Sequence, residues 1–147
     1  FNPEPFISFP HAKTPLKYFI VAIVLTTMIL TARRVGRWPE HQRLPAYLGT
    51  LGITGFTLLP ASATYHFVML AFPVMMMATL PGLDNRNRWA ILLVYAGIGF
   101  IPYSFFASLA DRWGVFFAFP RLWAVTVLFI ITLLTIRDLD RKLAQPR

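Results

Sequence analysis

Residues 44–80 read "LPAYLGTLGITGFTLLPASATYHFVMLAFPVMMMATL" and contain no Asp, Glu, Lys or Arg. The stretch holds two apolar segments, 44–59 and 65–80, which are separated by Pro60 and the short polar sequence after it. Each segment reaches only about 24 Å at about 1.5 Å of rise per residue, whereas a bilayer core is about 30 Å thick. Pro60 occupies a helix-breaking position, and the combined run is too long for a single crossing, so we predict a hairpin of two helices. One long broken helix is the alternative.

The composition of the whole chain indicates a membrane protein. Of its 147 residues, 56% are hydrophobic, 16% are aromatic and only 14% are charged, and the mean hydropathy is +0.58. An ordinary soluble domain has about a quarter of its residues charged, and a chain of this size cannot bury so much apolar surface from water. We therefore expect an integral multi-pass protein of the bacterial cytoplasmic membrane.

Five apolar segments predict an all-α fold, a polytopic transmembrane helix bundle that forms one domain over residues 1–147. The spans are 16–32, 44–59, 65–80, 89–109 and 119–136. Cytoplasmic loops carry the excess of Lys and Arg, which predicts an N-terminus outside and a C-terminus in the cytoplasm. On this topology four basic residues lie outside, and ten lie inside: Arg33, Arg34, Arg37, Arg43, Arg86, Arg88, Arg137, Arg141, Lys142 and Arg147.

The basic residues cluster at the ends of apolar runs, although the net charge is +8. This distribution predicts contacts with anionic lipids and excludes nucleic acid as the expected partner. The chain has no cysteine, so it offers no thiolate metal ligand and no cysteine nucleophile. The consecutive Met residues at 75–77 point around a helix rather than to one face, and we expect no bound metal and no cofactor.

Glycines and tryptophans give two further expectations. Gly49, Gly52 and Gly55 recur every third residue, a spacing that permits close contact between helices in lipid. Four tryptophans lie near the predicted span ends, where indole rings commonly anchor a helix at the membrane surface. They are Trp38, Trp89, Trp113 and Trp123.

Polar residues gather on the outer rim of the predicted bundle. Polar groups at membrane depth are costly, so they usually face protein or a wet cavity. A rim of this kind would bind an anionic lipid head group, and the first turns of helices beginning near 65 and 119 would add backbone donors for phosphate. The candidate substrate-binding residues are Ser62, Tyr65, His66, Tyr103, Arg112 and Arg121, and the weak catalytic candidates are His66 and Asp111.

Several of these residues have other interpretations. His66 either hydrogen-bonds a neighbouring helix, binds or orients a ligand, or ligates a metal or pigment. Asp111 and Arg112 are adjacent and would also form a simple loop ion pair. Arg121 would also reach toward lipid phosphate without binding a substrate. No Walker A loop, HExxH pair or GxSxG elbow is present.

The segment "LLPASATYHFVMLAFPV", with a Gly-rich span before it and an "FPRLW" span after it, resembles the C-terminal membrane half of glycosyltransferase family 87. These GT-C enzymes are similar to polyprenyl-phosphate-mannose-dependent mannosyltransferases. Their Leu-Ser-Pro-x-Ser-x-x-His pattern corresponds here to Leu59, Pro60, Ser62, Tyr65 and His66. The resemblance implies transfer of a sugar from a polyprenyl-phosphate lipid on the outer face.

The resemblance also implies that the sequence is the C-terminal part of a longer chain. The opening "NPEP" looks like the segment before this half in the family, whose catalytic carboxylate lies in an early outer loop without a counterpart here. The alternative is a non-catalytic structural or accessory subunit of a larger membrane complex, in contact with other membrane subunits, lipid or pigment. A transporter is less favoured because no repeated halves are visible.

Overall fold

The structure, a computed structural model, describes residues 10–58, 66–100 and 120–144, and every regular element in them is helical. The chain order is α1 Pro10–Val35, α2 Glu40–Leu58, α3 His66–Met69, α4 Ala71–Ala78, α5 Asn85–Phe100 and α6 Pro120–Ala144. The all-α prediction is confirmed for these residues. Each predicted apolar segment overlaps a helix, or the α3–α4 pair, although the bounds differ.

Several helices extend beyond the apolar segments predicted from the sequence. α2 begins at Glu40 instead of residue 44, and α6 continues to Ala144 instead of ending at residue 136. The added turns carry charges that suit helix ends: Glu40 lies in the first turn of α2, and Arg141 and Lys142 lie in the last turn of α6. Such charges complement the helix dipole, so the helices continue where hydropathy alone predicts an end.

The segment predicted over 65–80 is not one regular helix, because it is interrupted at Leu70 between α3 and α4. Pro73 has no N–H to donate to the carbonyl of Met69, four residues earlier. The N–H of Leu70 instead donates to the Phe67 carbonyl at 3.2 Å, and regular bonding resumes from Val74 to the Leu70 carbonyl at 3.0 Å. The proline therefore accounts for the break.

α2 and α4 form an antiparallel pair, as the hairpin prediction requires. An ideal Cβ at Gly49 would lie 2.5 Å from Met77 Cγ, and one at Gly52 would lie 2.5 Å from Pro73 Cβ. The pairing therefore runs in opposite directions along the two helices, and the interpretation as one long helix is wrong. The close contact predicted for Gly49 and Gly52 is confirmed. It does not extend to Gly55, which is exposed and has no atom of the described residues within 4 Å of an added Cβ.

The described helices pack around one apolar core. α2 contacts α1, α4 and α6, and α5 contacts α4 and α6. The core has contributions from α2, α4, α5 and α6, together with the turns that join them. Its fully buried side chains include Ile53, Leu70, Val74, Met77, Ile91, Ile98, Leu128 and Ile136.

Two stretches of the described helices, Lys17–Val35 in α1 and Arg121–Ala144 in α6, are long and apolar enough to cross a membrane. Only 17% of the apolar window in the first and 33% of that in the second is buried within the chain. Large side chains such as Tyr18 and Phe19 are instead exposed. Water would disfavour this much exposed apolar surface, so the pattern supports the prediction of a transmembrane protein.

One end of the bundle, formed by residues 36–40, 79–84 and 139–142, is held by polar contacts, and we refer to it as the Trp38 end. The Trp38 indole N–H donates to Asp140 Oδ1 at 3.0 Å. Lys142 Nζ lies 2.6 Å from Asp84 Oδ2. The turn before Asp84 requires Gly82, whose φ is +79°, a conformation that side chains disfavour.

The prediction that all four tryptophans are membrane anchors is wrong for Trp38. Its side chain is only 4% exposed because it fills the core at the Trp38 end and bonds to Asp140. Trp89 and Trp123 are 62% and 48% exposed, as expected for rings at a membrane surface. Trp113 lies outside the described residues.

We expect Lys142→Ala to change the free energy of unfolding by less than about 0.5 kcal/mol, because both partners of the Lys142–Asp84 pair are largely exposed. Thermal unfolding in a mild detergent, at low and high salt, measures the effect. Arg141→Ala is the matched control, since Arg141 is exposed on the same helical turn. A salt-independent loss above about 1 kcal/mol would contradict this assignment.

Candidate functional site

The opposite end of the bundle brings together α2, α3 and α6, and we refer to residues 56–58, 66–67 and 120–121 as the Arg121 end. The Arg121 guanidinium carbon lies 5.5 Å from the centroid of the Phe67 ring. The Phe67 ring also contacts Phe56, with 6.1 Å between centroids and an interplanar angle of 41°. Phe67 therefore links the last turn of α2 to the first turn of α6.

Local sequence explains why Arg121 is held at this position. It follows Pro120, which begins α6. A proline is compatible with the first turn of a helix because its fixed φ is helical and no N–H is required there. Arg121 thus lies in the first turn of α6, partly buried, with its charge over an aromatic face. Such a contact contributes about 0.5–2 kcal/mol, depending on desolvation.

This geometry suits an anion-binding role. A guanidinium carries its N–H donors in the plane of the group, in a fork that matches the oxygens of a phosphate. A contact with an aromatic ring uses the positive charge and consumes no N–H donor. The contact with the Phe67 ring therefore does not by itself prevent a guanidinium from binding an oxyanion.

The structure describes two of the seven predicted site residues. Arg121 is one, and His66, the first residue of α3, is the other, although only its backbone position is described. Because Phe67 follows His66 and contacts Arg121, the structure brings α3 and α6 together at this end. The remaining predicted residues lie outside the described residues: Ser62, Tyr65, Tyr103, Asp111 and Arg112.

Sequence reasoning missed the role of Phe56 and Phe67 at this end. Phe56 lies in an apolar run rich in Leu and Gly, and Phe67 lies in one rich in Met, so nothing in the pattern separates them from core or lipid-facing residues. The available signal was the position of Phe67, directly after His66 and at the start of a helix. That position alone could not identify Arg121 as the partner, since 54 residues separate the two along the chain.

The described carboxylates lie far from Arg121. Glu40 begins α2, Asp84 precedes α5, and Asp138 and Asp140 lie near the end of α6, all toward the Trp38 end. Within the described ranges, no group of three or more His, Cys, Asp or Glu residues is arranged to hold a metal ion. The described part of the Arg121 end therefore contains a guanidinium group and no carboxylate.

Comparison of the chain with family models, with curated proteins and with solved structures gave no match.

Proposed function

We propose that this chain is the membrane part of a glycosyltransferase that uses a polyprenyl-phosphate-linked sugar, and that the lipid phosphate binds at the Arg121 end. The contact between Arg121 and Phe67 carries the proposal. It joins the two segments on which the resemblance to glycosyltransferase family 87 rests, the one that contains "SATYH" and the one that contains "FPRLW". A positive charge at this junction suits an anionic head group.

The proposal includes five membrane crossings, with the Arg121 end outside and the Trp38 end in the cytoplasm. The alternation of the described helices supports it, because α2 and α4 are antiparallel and the end of α6 lies beside the start of α5. The charge distribution also supports it, since basic residues concentrate toward the Trp38 end. Those within the described ranges are Arg33, Arg34, Arg37, Arg43, Arg86, Arg88, Arg137, Arg141 and Lys142.

In the proposed reaction, the bond between the anomeric carbon of the sugar and the lipid phosphate oxygen breaks. An acceptor hydroxyl oxygen forms the new bond to that carbon, and its proton passes to a base. Arg121 would stabilise the negative charge that grows on the departing phosphate. The candidate bases in this chain are Asp111 and His66, because a carboxylate and a neutral imidazole can each accept a proton.

We expect Arg121→Gln to weaken binding of a polyprenyl monophosphate by about tenfold or more, because one charge-assisted interaction of about 1.5–3 kcal/mol is lost. The probe is an undecaprenyl monophosphate titrated into the chain in nanodiscs, followed by native mass spectrometry. Undecaprenol, which lacks the phosphate, should bind the wild type and the variant equally.

The matched control is Arg141→Gln, the same change of charge at the other end of α6, where the side chain is exposed. It should leave the affinity for undecaprenyl monophosphate unchanged. Equal affinities of the wild type and Arg121→Gln for undecaprenyl monophosphate would contradict the proposed site. Equal losses in both variants would indicate attraction to the overall charge of the protein instead of a specific contact.

The second candidate function is that of a non-catalytic subunit in a larger membrane complex. The exposed apolar surface of α1, which includes Tyr18, Phe19 and Ile23, favours it, since partner helices would cover such a surface as readily as lipid. Purification from the native membrane distinguishes the two. Stable partner subunits without phosphate-dependent lipid binding would favour the subunit.

A further inference from the structure

Two buried hydroxyl groups on α2 have no hydrogen-bond partner in the part of the chain that the structure describes. Thr50 is 4% exposed and Thr54 is 1% exposed, and the Oγ1 atom of each is unpartnered. They lie one helical turn apart, at about 6 Å of rise. Buried hydroxyls are almost always hydrogen-bonded, so an adjacent pair of exceptions calls for a partner.

Other threonine hydroxyls in the described helices form hydrogen bonds to the backbone of their own helix. Thr31 donates to the Thr27 carbonyl and Thr132 to the Leu128 carbonyl, both at 2.8 Å, and Thr57 donates to the Ile53 carbonyl at 3.0 Å. Each uses the carbonyl four residues earlier in its own helix. Thr50 and Thr54 do not, so both the donor and the acceptor capacity of each hydroxyl remain unused.

The positions of neighbouring residues show which helix these hydroxyls face. Gly49 faces α4, and Tyr47 faces α1 through its hydroxyl bond to the Ala32 carbonyl. At about 100° per residue, Thr50 and Thr54 lie between these two directions. The other arc between these two directions is exposed at Leu48 and Leu51. Because α6 is the other long helix that contacts α2 among the described residues, this placement assigns the two threonines to the junction of α1, α2 and α6.

A third unpartnered atom lies on the same helix nearer the Trp38 end. Gln42 is 8% exposed, and its Oε1 atom is buried without a partner among the described residues. It lies about 12 Å of rise before Thr50. Unpartnered polar atoms therefore occur on α2 both in its first turns and near its middle.

We propose that the junction of α1, α2 and α6 holds bound water that hydrogen-bonds the hydroxyls of Thr50 and Thr54. Buried waters typically make about three hydrogen bonds to polar groups that would otherwise be unsatisfied. Water both donates and accepts, which matches the unused capacity of a hydroxyl. A sodium ion would use only the oxygen lone pairs and needs more oxygen ligands than two hydroxyls supply.

The proposal does not rest on the lipid-phosphate site, since neither Thr50 nor Thr54 belongs to the Arg121 end. It assigns a hydrated position to the interior of the bundle, within a chain whose other described contacts are largely apolar. Loss of lipid-phosphate binding in the Arg121 variant would leave it unaffected, and loss of the internal water would leave the lipid site unaffected.

The direct test is solid-state NMR of the chain in deuterated lipid, with magnetisation transferred from water to threonine side chains. We expect transfer to Thr50 and Thr54 in the wild type and its loss in the Thr50→Val and Thr54→Val double variant. Thr132, buried and bonded within its own helix, is the internal reference that should receive little transfer. Absence of transfer to Thr50 and Thr54 in the wild type would overturn the proposal.

Thermal unfolding gives an independent test through the sign of the change. Valine has the shape of threonine, so the double variant should lower the unfolding midpoint by about 3 °C if water bonds the hydroxyls, and raise it if the junction is dry. Thr50→Ser with Thr54→Ser keeps the hydroxyls and should retain water transfer. A raised midpoint in the valine variant would contradict bound water. A second contrary result would be a wild-type midpoint that is higher in sodium chloride than in choline chloride, because it would indicate a bound sodium ion instead.

Discussion

Gly52→Ala is expected to lower the free energy of unfolding by about 2 kcal/mol, a large effect for the addition of one methyl group. The new Cβ would lie 2.5 Å from Pro73 Cβ and 2.8 Å from Pro73 Cγ. The proline ring cannot rotate away, because it is closed onto the backbone. α2 and α4 must therefore separate, which loses packing along their whole contact. Alanine has a higher helix propensity than glycine, which stabilises the variant by about 1 kcal/mol, but this gain does not offset the loss of packing.

Two neighbouring glycines provide matched comparisons. Gly55→Ala adds the same methyl group to the same helix in open space, so its stability should stay equal or rise slightly. Gly49→Ala should give an intermediate loss, because its main obstacle is the Met77 side chain, which is flexible, although the Pro73 carbonyl at 3.1 Å limits the adjustment. Thermal unfolding in one detergent ranks the three variants. Equal midpoints for Gly52→Ala and Gly55→Ala would contradict the close contact.

Much of the helical architecture could be predicted from the sequence because its causes are local. The apolar segments indicated the helices, and Pro60 separated the two that form the hairpin. The spacing of Gly49 and Gly52 predicted a close helix contact, since small residues on one face permit little else. The same spacing falsely included Gly55, because a three-residue repeat rotates by about 60° per step and carries Gly55 away from the face that contacts α4.

The rest depends on contacts between distant parts of the chain. Trp38 looked like a membrane anchor because its position near a span end is typical of one. Its burial follows from Asp140, 102 residues later, which no local pattern indicates. The same holds at the candidate site, where Arg121 was predicted from its charge and position. Its aromatic partner Phe67 could not be predicted, because one phenylalanine among 14 carries no distinguishing signal.

Trp38→Ala is expected to lower the free energy of unfolding by about 3–5 kcal/mol. The indole is 4% exposed and belongs to the same core cluster as Val35 and Leu139. Removing it leaves a cavity at the Trp38 end, in the connection between α1 and α2. The control is Trp89→Ala, because the Trp89 ring is 62% exposed and its removal opens no cavity. That variant should change stability by less than about 1 kcal/mol in detergent.

Conservative variants separate the volume of the indole from its hydrogen bond. Trp38→Phe removes the N–H while Asp140, which is only partly buried, can turn to water, so the loss should be well below that of Trp38→Ala. Asp140→Ala leaves the indole N–H buried without its acceptor and should cost about 1–3 kcal/mol. Asp140→Asn keeps a carbonyl oxygen as acceptor and should recover part of that loss.

The double variant Trp38→Phe with Asp140→Ala decides whether the two residues act through their hydrogen bond. Once the N–H is absent, removing the carboxylate should cost less than it does in the wild type, so the two losses should sum to more than the loss of the double variant. Chemical unfolding in mixed micelles measures all four free energies under one condition. Strictly additive losses would mean that Asp140 stabilises the Trp38 end through its charge, since a shared hydrogen bond can be broken only once.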